Sequence, residues 1–245
     1  MLTKRSSLAA RFAGSLSDCR SGVAFIEFAF ALPVLLALGL LGLETANYAM
    51  ANLRVSNIAM LTADNAARVR ESIDETDVTE LLTGAKMTGS SINFAANGRI
   101  ILTDLEPTDT GGKQWVRWQR CDGALNYSNS NTAIRPVNDS GAWISNGTEF
   151  YKSDRTTPAD TASASSQKGA TLTAITSGSN QISASTGTAV MAVEVAYNYQ
   201  PIIPNSFLAG RQIRYQSAFN VRQRTDQTLH NVNKITPKSC NTFAA

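Results

Sequence analysis

The chain has 245 residues, 43% hydrophobic and 17% charged, with a formal net charge of +3. That excess sits in residues 1–22, where Lys4, Arg5, Arg11 and Arg20 face one acid, Asp18, while Val23 to Ala245 carries 18 basic and 18 acidic residues. A neutral body lacks the basic face of a nucleic-acid-binding domain, and a basic segment ahead of an apolar run is the pattern that the positive-inside rule keeps in the cytoplasm.

Gly22 to Leu43 reads GVAFIEFAFALPVLLALGLLGL, and Glu27 is the only charge between Val23 and Leu43. About 20 apolar residues cross a hydrocarbon core. A secretory signal has a shorter apolar core followed by an A-x-A-like site; here Glu44-Thr45-Ala46-Asn47 follows instead. The run predicts a retained single-pass helix, with the N-terminus cytoplasmic and the C-terminal domain exported. An acid inside such a helix is costly and marks function by default. The alternative for Glu27 is an acid near the helix start that snorkels to the interface. Pro33 lacks a backbone donor and predicts a local hinge, which membrane helices tolerate.

Beyond Leu43 the pattern stays helical and becomes amphipathic. Leu43, Ala46, Met50, Leu53, Ile58 and Leu61 recur at helical spacing and predict one apolar stripe. One helix from about Val23 to Val69 would be roughly 70 Å long. Its stripe either packs on the protein's own sheet or meets a partner helix. Asp77-Val-Thr-Glu80 predicts a capped start for a short second helix, with Leu81 and Leu82 on its apolar face and Gly84 as its stop.

The remainder predicts half-buried antiparallel strands. Ser91–Phe94 and Arg99–Leu105 are expected to pair across the turn signal Asn97-Gly98. Lys113–Arg120 alternates, with Trp115 and Trp118 on opposite faces. Val193, Val195, Tyr197 and Tyr199 share a face within Val190–Tyr199, as do Ile213, Tyr215, Ser217, Phe219 and Val221 within Arg211–Arg222. Pro201 and Pro204 mark the connection. Between Ser128 and Gly187 the chain turns rich in Ser, Thr, Asn, Ala and Gly, and Thr156–Gly187 predicts a solvated surface excursion.

Of three cysteines, Cys19 precedes the apolar run; Cys121 and Cys240 follow it, on the side where disulfides persist. They are a disulfide candidate, a bond worth roughly 4 kcal/mol through its long loop; two unpaired buried thiols are the alternative. No catalytic constellation is read. His230 is the only histidine, in a polar setting, and neither zinc spacing nor a phosphate-binding glycine loop occurs. Asp104, Glu106 and Asp109 beside Gly111-Gly112 form an acidic turn; solvation is the plainer reading than a calcium site. No enzyme activity, cofactor or metal is expected.

The stretch GVAFIEFAFALPVLLALGLLGLETANYAM resembles the TadE-like family of pseudopilins or minor pilins of tight-adherence (Flp-type) pili. The matching positions are Gly22, Ile26, Glu27, Phe28, Ala29, Leu32, Pro33, Leu35, Leu36, Gly42 and Glu44, within residues 20–70. The resemblance implies cleavage after Gly22 by a prepilin peptidase. Val23 becomes the new N-terminus and Glu27 the fifth residue, followed by Phe28. The new ammonium of one subunit then pairs with the Glu27 carboxylate of its neighbour, in an apolar setting where pairing is worth most. The implied partners are other pilin and minor pilin subunits, the peptidase, an inner-membrane assembly platform and the lipid bilayer, with no nucleic acid.

The expected fold class is α+β and pilin-like: a long N-terminal helix, half transmembrane and half amphipathic, packed on an antiparallel β-sheet domain with a long Ser/Thr-rich loop. The expected parts are a basic leader at 1–22, a transmembrane helix at 23–43, the helix extension and short second helix at 44–84, and an exported β-rich domain at 85–245 with its excursion at about 128–187. The expected place is the bacterial inner membrane, with the domain periplasmic or in the extracellular pilus. The competing reading is an uncleaved, membrane-anchored exported binding or adhesion module.

Overall fold

The computed structural model describes residues 21–107, 114–127, 175–177, 180–182, 184–185, 187–240 and 242–245. The chain divides into two units, residues 1–47 and 48–245. Helix α1, Ser21–Arg68, contributes to both. It is followed by β1 (Ile73–Asp74), α2 (Glu75–Thr88), a 3₁₀ turn (Ser90–Ile92), the short α3 (Phe94–Asn97), β2 (Gly98–Pro107), β3 (Gln114–Asp122), β4 (Ile175–Ser177), β5 (Asn180–Ile182), β6 (Val190–Asn198), β7 (Gln212–Asn220) and β8 (Leu229–His230). The fold is α+β.

The main sheet is antiparallel with the order β3-β2-β6-β7, while β1 and β8 form a short parallel pair and β4 and β5 a small hairpin. That hairpin lies in the stretch read as a featureless excursion; the rest of 128–174 is outside the described residues.

In the second unit the core forms where α1 crosses one sheet face. Ala51, Val55, Ile58, Ala59, Ala63, Ala66 and Ala67 are buried against Ile100, Leu102, Trp118, Val193, Val195 and Ile213. The β6–β7 register sets Val193 opposite Ser217, Val195 opposite Tyr215 and Tyr197 opposite Ile213, so the two alternating sets share the α1 face. The opposite sheet face is also covered: Ile101, Cys121 and Ala196 pack with Tyr127 and Cys240. Strands β2 and β6 are therefore buried on both faces for most of their length. This corrects the half-buried reading, because residues around 125–127 and 240 form a second layer.

Three local expectations change. The predicted helix stripe is not the core face. Of its members only Ile58 is buried; Leu43, Ala46, Met50, Leu53 and Leu61 are exposed. The core side is built from small residues, which let the helix backbone approach the sheet, and the bulkier side chains point away.

Helix α2 begins earlier and ends later. Asp74, not Asp77, is the N-cap: its Oδ1 accepts from Thr76 N–H at 2.9 Å, while Asp77 at N3 accepts from Asp74 N–H at 2.9 Å. This is a reciprocal capping box. Gly84 does not stop the helix; it lies in the interior with nothing within 4 Å of where a Cβ would stand, and Gly89 is the C-cap.

Ser91–Phe94 is not a strand. Strand β2 already pairs on both sides, with β3 and β6, so no edge is left for a hairpin partner. Phe94 instead turns into the core, its ring stacked on Tyr197 at 5.9 Å. A Cβ on Gly98 would run into the Phe94 ring. The Asn97-Gly98 pair thus serves close packing rather than a hairpin turn.

Candidate functional site

The first unit contributes the apolar part of α1. Every side chain from Gly22 to Leu43 is exposed. The helix is long and apolar enough to cross a membrane. Gly22 and Val23 lie in its first turn and Glu27 and Phe28 in the second, all exposed. Pro33 lies inside the helix, which continues through it from Ser21 to Arg68.

In the second unit the same helix exposes Met50, Leu53, Met60 and Leu61. At 100° per residue Met50 and Leu61 fall within about 20° of each other, away from the buried alanines. Arg54 is the only charge between Thr45 and Ala63. Beside Leu61 a cavity of about 460 Å³ opens between α1 and α2, with Ile58, Leu81 and Ala85 in its lining and Asp77 and Glu80 among its acids.

The structure joins Cys121 and Cys240, 119 positions apart in sequence, in a disulfide with Cα atoms 4.7 Å apart. Buried Arg99 ties down the same region. Its guanidinium donates to Gly123 O at 2.8 Å, Cys240 O at 2.8 Å and Thr242 O at 2.6 Å, and it lies 4.5 Å over the Phe243 ring. Lys86 and Lys238 both reach Asp122, at 3.2 and 3.3 Å. Sequence reading found the two cysteines and missed Arg99, since nothing in its neighbourhood distinguishes it from a strand arginine facing solvent.

The acidic turn does not exist as read. Asp104 and Glu106 belong to β2, and Asp104 is fully buried; Asp109 to Gly112 lie outside the described residues. Among the described residues no cluster of three His, Cys, Asp or Glu is arranged to hold a metal. A bulge in the β2–β3 ladder leaves Arg117 as the extra residue. It turns to Glu106 at 2.9 and 3.0 Å and to Thr228 Oγ1 at 2.8 Å. His230 Nε2 lies 2.9 Å from Asp226 Oδ2. Trp118 is core and donates to Gln227 O at 3.2 Å.

Asp104 faces Arg224, with Oδ2 to Nη2 at 4.0 Å and both side chains buried. Among the described residues neither Asp104 oxygen has a hydrogen-bond partner within bonding distance, whereas Arg224 donates to Gln227 Oε1 at 2.8 Å and to Ala66 O at 3.3 Å. Burial, and then the neighbouring Glu106, push the Asp104 carboxyl up; Arg224 and Arg117 pull it down by less. The folded state therefore keeps a proton that the unfolded chain releases near pH 3.9. The stability this proton confers is lost as pH rises above about 4 and toward the raised folded-state value. Glu106, raised first by burial against the pull of Arg117, adds a slope of the same sign. Asp104→Asn is expected to make the thermal midpoint fall less steeply as pH rises above about 4. An unchanged slope in the variant would place Asp104 as an ordinary ionised carboxylate.

No protein-family model, curated protein or solved structure matches the chain. What the fold and the first unit define is an α+β protein with one candidate membrane-spanning helix near its N-terminus.

Proposed function

We propose that this protein is a minor pilin or pseudopilin of the TadE-like kind, with a pilin-like fold, which contributes to assembly of a tight-adherence pilus. It is inserted in the bacterial inner membrane with its N-terminus in the cytoplasm and residues beyond about 44 exported, then cut after Gly22 by a prepilin peptidase. The observation that carries this reading is α1 itself. It presents an apolar surface from Gly22 to Leu43 and a second, outward apolar face at Met50, Leu53, Met60 and Leu61. A helix that served only as an anchor has no need of the second face, whereas a helix that leaves the bilayer to pack beside others does. The Cys121–Cys240 disulfide supports an oxidising compartment for the second unit.

In this reading the Val23 ammonium of one subunit pairs with Glu27 of the next, other pilin subunits cover the outward face of α1, and Pro33 lets the helix bend as it leaves the bilayer. N-terminal sequencing of the native protein is expected to begin at Val23, and Gly22→Leu to leave residues 1–22 attached. Retention of the leader in wild-type cells would instead favour an uncleaved exported binding module. Glu27→Ala is expected to insert normally and to assemble on the order of tenfold less, the effect of losing a pairing worth ~1.4 kcal/mol. Normal piliation in that variant would remove the pairing mechanism.

A further inference from the structure

The connection between β6 and β7 carries two apolar side chains that the core does not use: Ile202 is 53% exposed and Phe207 61%. The loop is well built. Ser206 N–H donates to Ile203 O at 3.1 Å, Ala209 N–H to Ser206 O at 2.9 Å and Arg211 N–H to Leu208 O at 3.3 Å. Leu208 is buried and anchors the loop in the core. Asn205 and Gly210 adopt left-handed φ of 60° and 74°, which fold it into consecutive tight turns. Pro201 and Pro204 contribute no N–H, so the tip presents fewer backbone donors needing water.

Its charge is one-sided. From Tyr199 to Thr225 there is no acid and there are four arginines. Arg211 ends the loop, and Arg214, three residues on in β7, donates to Gln212 Oε1 at 2.7 Å and lies 5.1 Å over the Tyr127 ring; both are exposed. Its position is the third observation. The loop leaves β6 at Tyr199, whose ring meets that of Tyr48 edge-on at 5.0 Å. Tyr48 follows Leu43, the last residue of the apolar run, by five positions, so chain length alone holds it within about 17 Å of Leu43.

We propose that the β6–β7 loop docks on the bilayer that holds α1. Phe207 and Ile202 enter the boundary between headgroups and acyl chains, and Arg211 and Arg214 pair with the phosphates of anionic phospholipids. The proposal rests on reading residues 22–43 as a membrane span. A lipid surface is favoured over a protein partner because two exposed apolar side chains and exposed arginines lie on a loop that starts at Tyr199, against Tyr48, which chain length ties to the apolar run.

The test uses the full chain in vesicles of phosphatidylethanolamine and phosphatidylglycerol. Cys19→Ser is introduced so that the disulfide remains intact, and a nitroxide is placed through Phe30→Cys, Met87→Cys or Phe207→Cys, one at a time. Met87 is 71% exposed and reports bulk water. Collision with a water-soluble nickel chelate is then measured. The label at position 30 is expected to be shielded and that at 87 open. The label at 207 should be severalfold more shielded than that at 87, and the added pair Arg211→Glu and Arg214→Glu should return it toward the value at 87. If position 30 is shielded while 207 is as open as 87, the loop does not dock and the proposal is overturned with the span intact. A label at 207 that stays shielded in the arginine variant overturns the pairing with phosphates. An open label at position 30 overturns the span itself, and docking with it.

Discussion

Arg120→Ala is expected to destabilise the second unit by about 3–5 kcal/mol, the cost of leaving a buried charge without its partner. Arg120 on β3 and Glu75 in the first turn of α2 are both buried, and Glu75 Oε1 accepts from Arg120 Nε at 2.8 Å and from Nη2 at 2.5 Å. Arg120 also donates to Gln119 O at 2.8 Å. The pair fixes where α2 starts against the sheet. For a domain of this size each kcal/mol moves the thermal midpoint by about 2–4 °C, so unfolding of the full chain in detergent should shift down by roughly 6–20 °C.

The double variant Glu75→Leu with Arg120→Met separates the net worth of the pair from the penalty of breaking it. Well-packed apolar replacements for a buried ion pair are often neutral. The double variant is therefore expected to recover most of the loss. A double variant as unstable as the single one would show that the pair itself, not an orphaned carboxylate, supplies the stability.

The second large effect is expected from Cys121→Ser with Cys240→Ser. Closing a loop of this length lowers the entropy of the unfolded chain by an amount worth roughly 4 kcal/mol. Loss of the bond also loosens the layer over the outer sheet face, because Cys121 and Cys240 are themselves part of it. Thermal unfolding should show a fall in midpoint comparable to that of Arg120→Ala, and proteolysis should release residues near 240 first. Arg99 still holds Cys240 O and Thr242 O in that variant, so Arg99→Ala added to it should fray the segment further. A midpoint unchanged by removal of the bond would place the fastening in Arg99 and the Lys238–Asp122 contact.

The strands and the long helix were legible because each carries a strong period. Val193, Val195, Tyr197 and Tyr199 alternate against Glu194, Ala196 and Asn198, and the run from Val23 to Leu43 leaves no alternative to a helix. What was not legible depended on neighbours distant in sequence. The stripe Met50, Leu53, Leu61 is the more apolar face of α1, and it faces outward because the sheet accepts Ala51, Ala59, Ala63, Ala66 and Ala67 at closer range. Alanine carries too little hydrophobic weight to announce a core face by itself. Asp74 and Asp77 both have cap-forming side chains three apart, and only the contact of Asp74 Oδ2 with Val232 N–H at 2.8 Å distinguishes the true start of α2. Asn97-Gly98 has the chemistry of a hairpin, but β2 has both edges occupied, a property of topology that no local window contains.

The candidate site divides in the same way. The proposed roles of Gly22, Glu27 and Pro33 rest on local sequence alone, while the β6–β7 loop gains meaning only when Tyr199 is found against Tyr48. The Glu75–Arg120 ion pair and the Asp104–Arg224 contact join residues 45 and 120 positions apart and left no mark on any short pattern.

The layer that covers the outer sheet face also sets a schedule. Ile101 and Cys121 wait for residue 240, and β1 waits for β8, whose pairing joins Ile73 to Leu229. As the chain is made from its N-terminus, β2 and β3 emerge long before the segments that seal them. Contacts this distant in sequence form late. The second unit therefore cannot close stepwise, and between the emergence of residue 121 and that of residue 240 it exposes an unsealed sheet and a free thiol. Folding is thus a race, in which residues 229–240 must arrive before that open face meets another copy of itself.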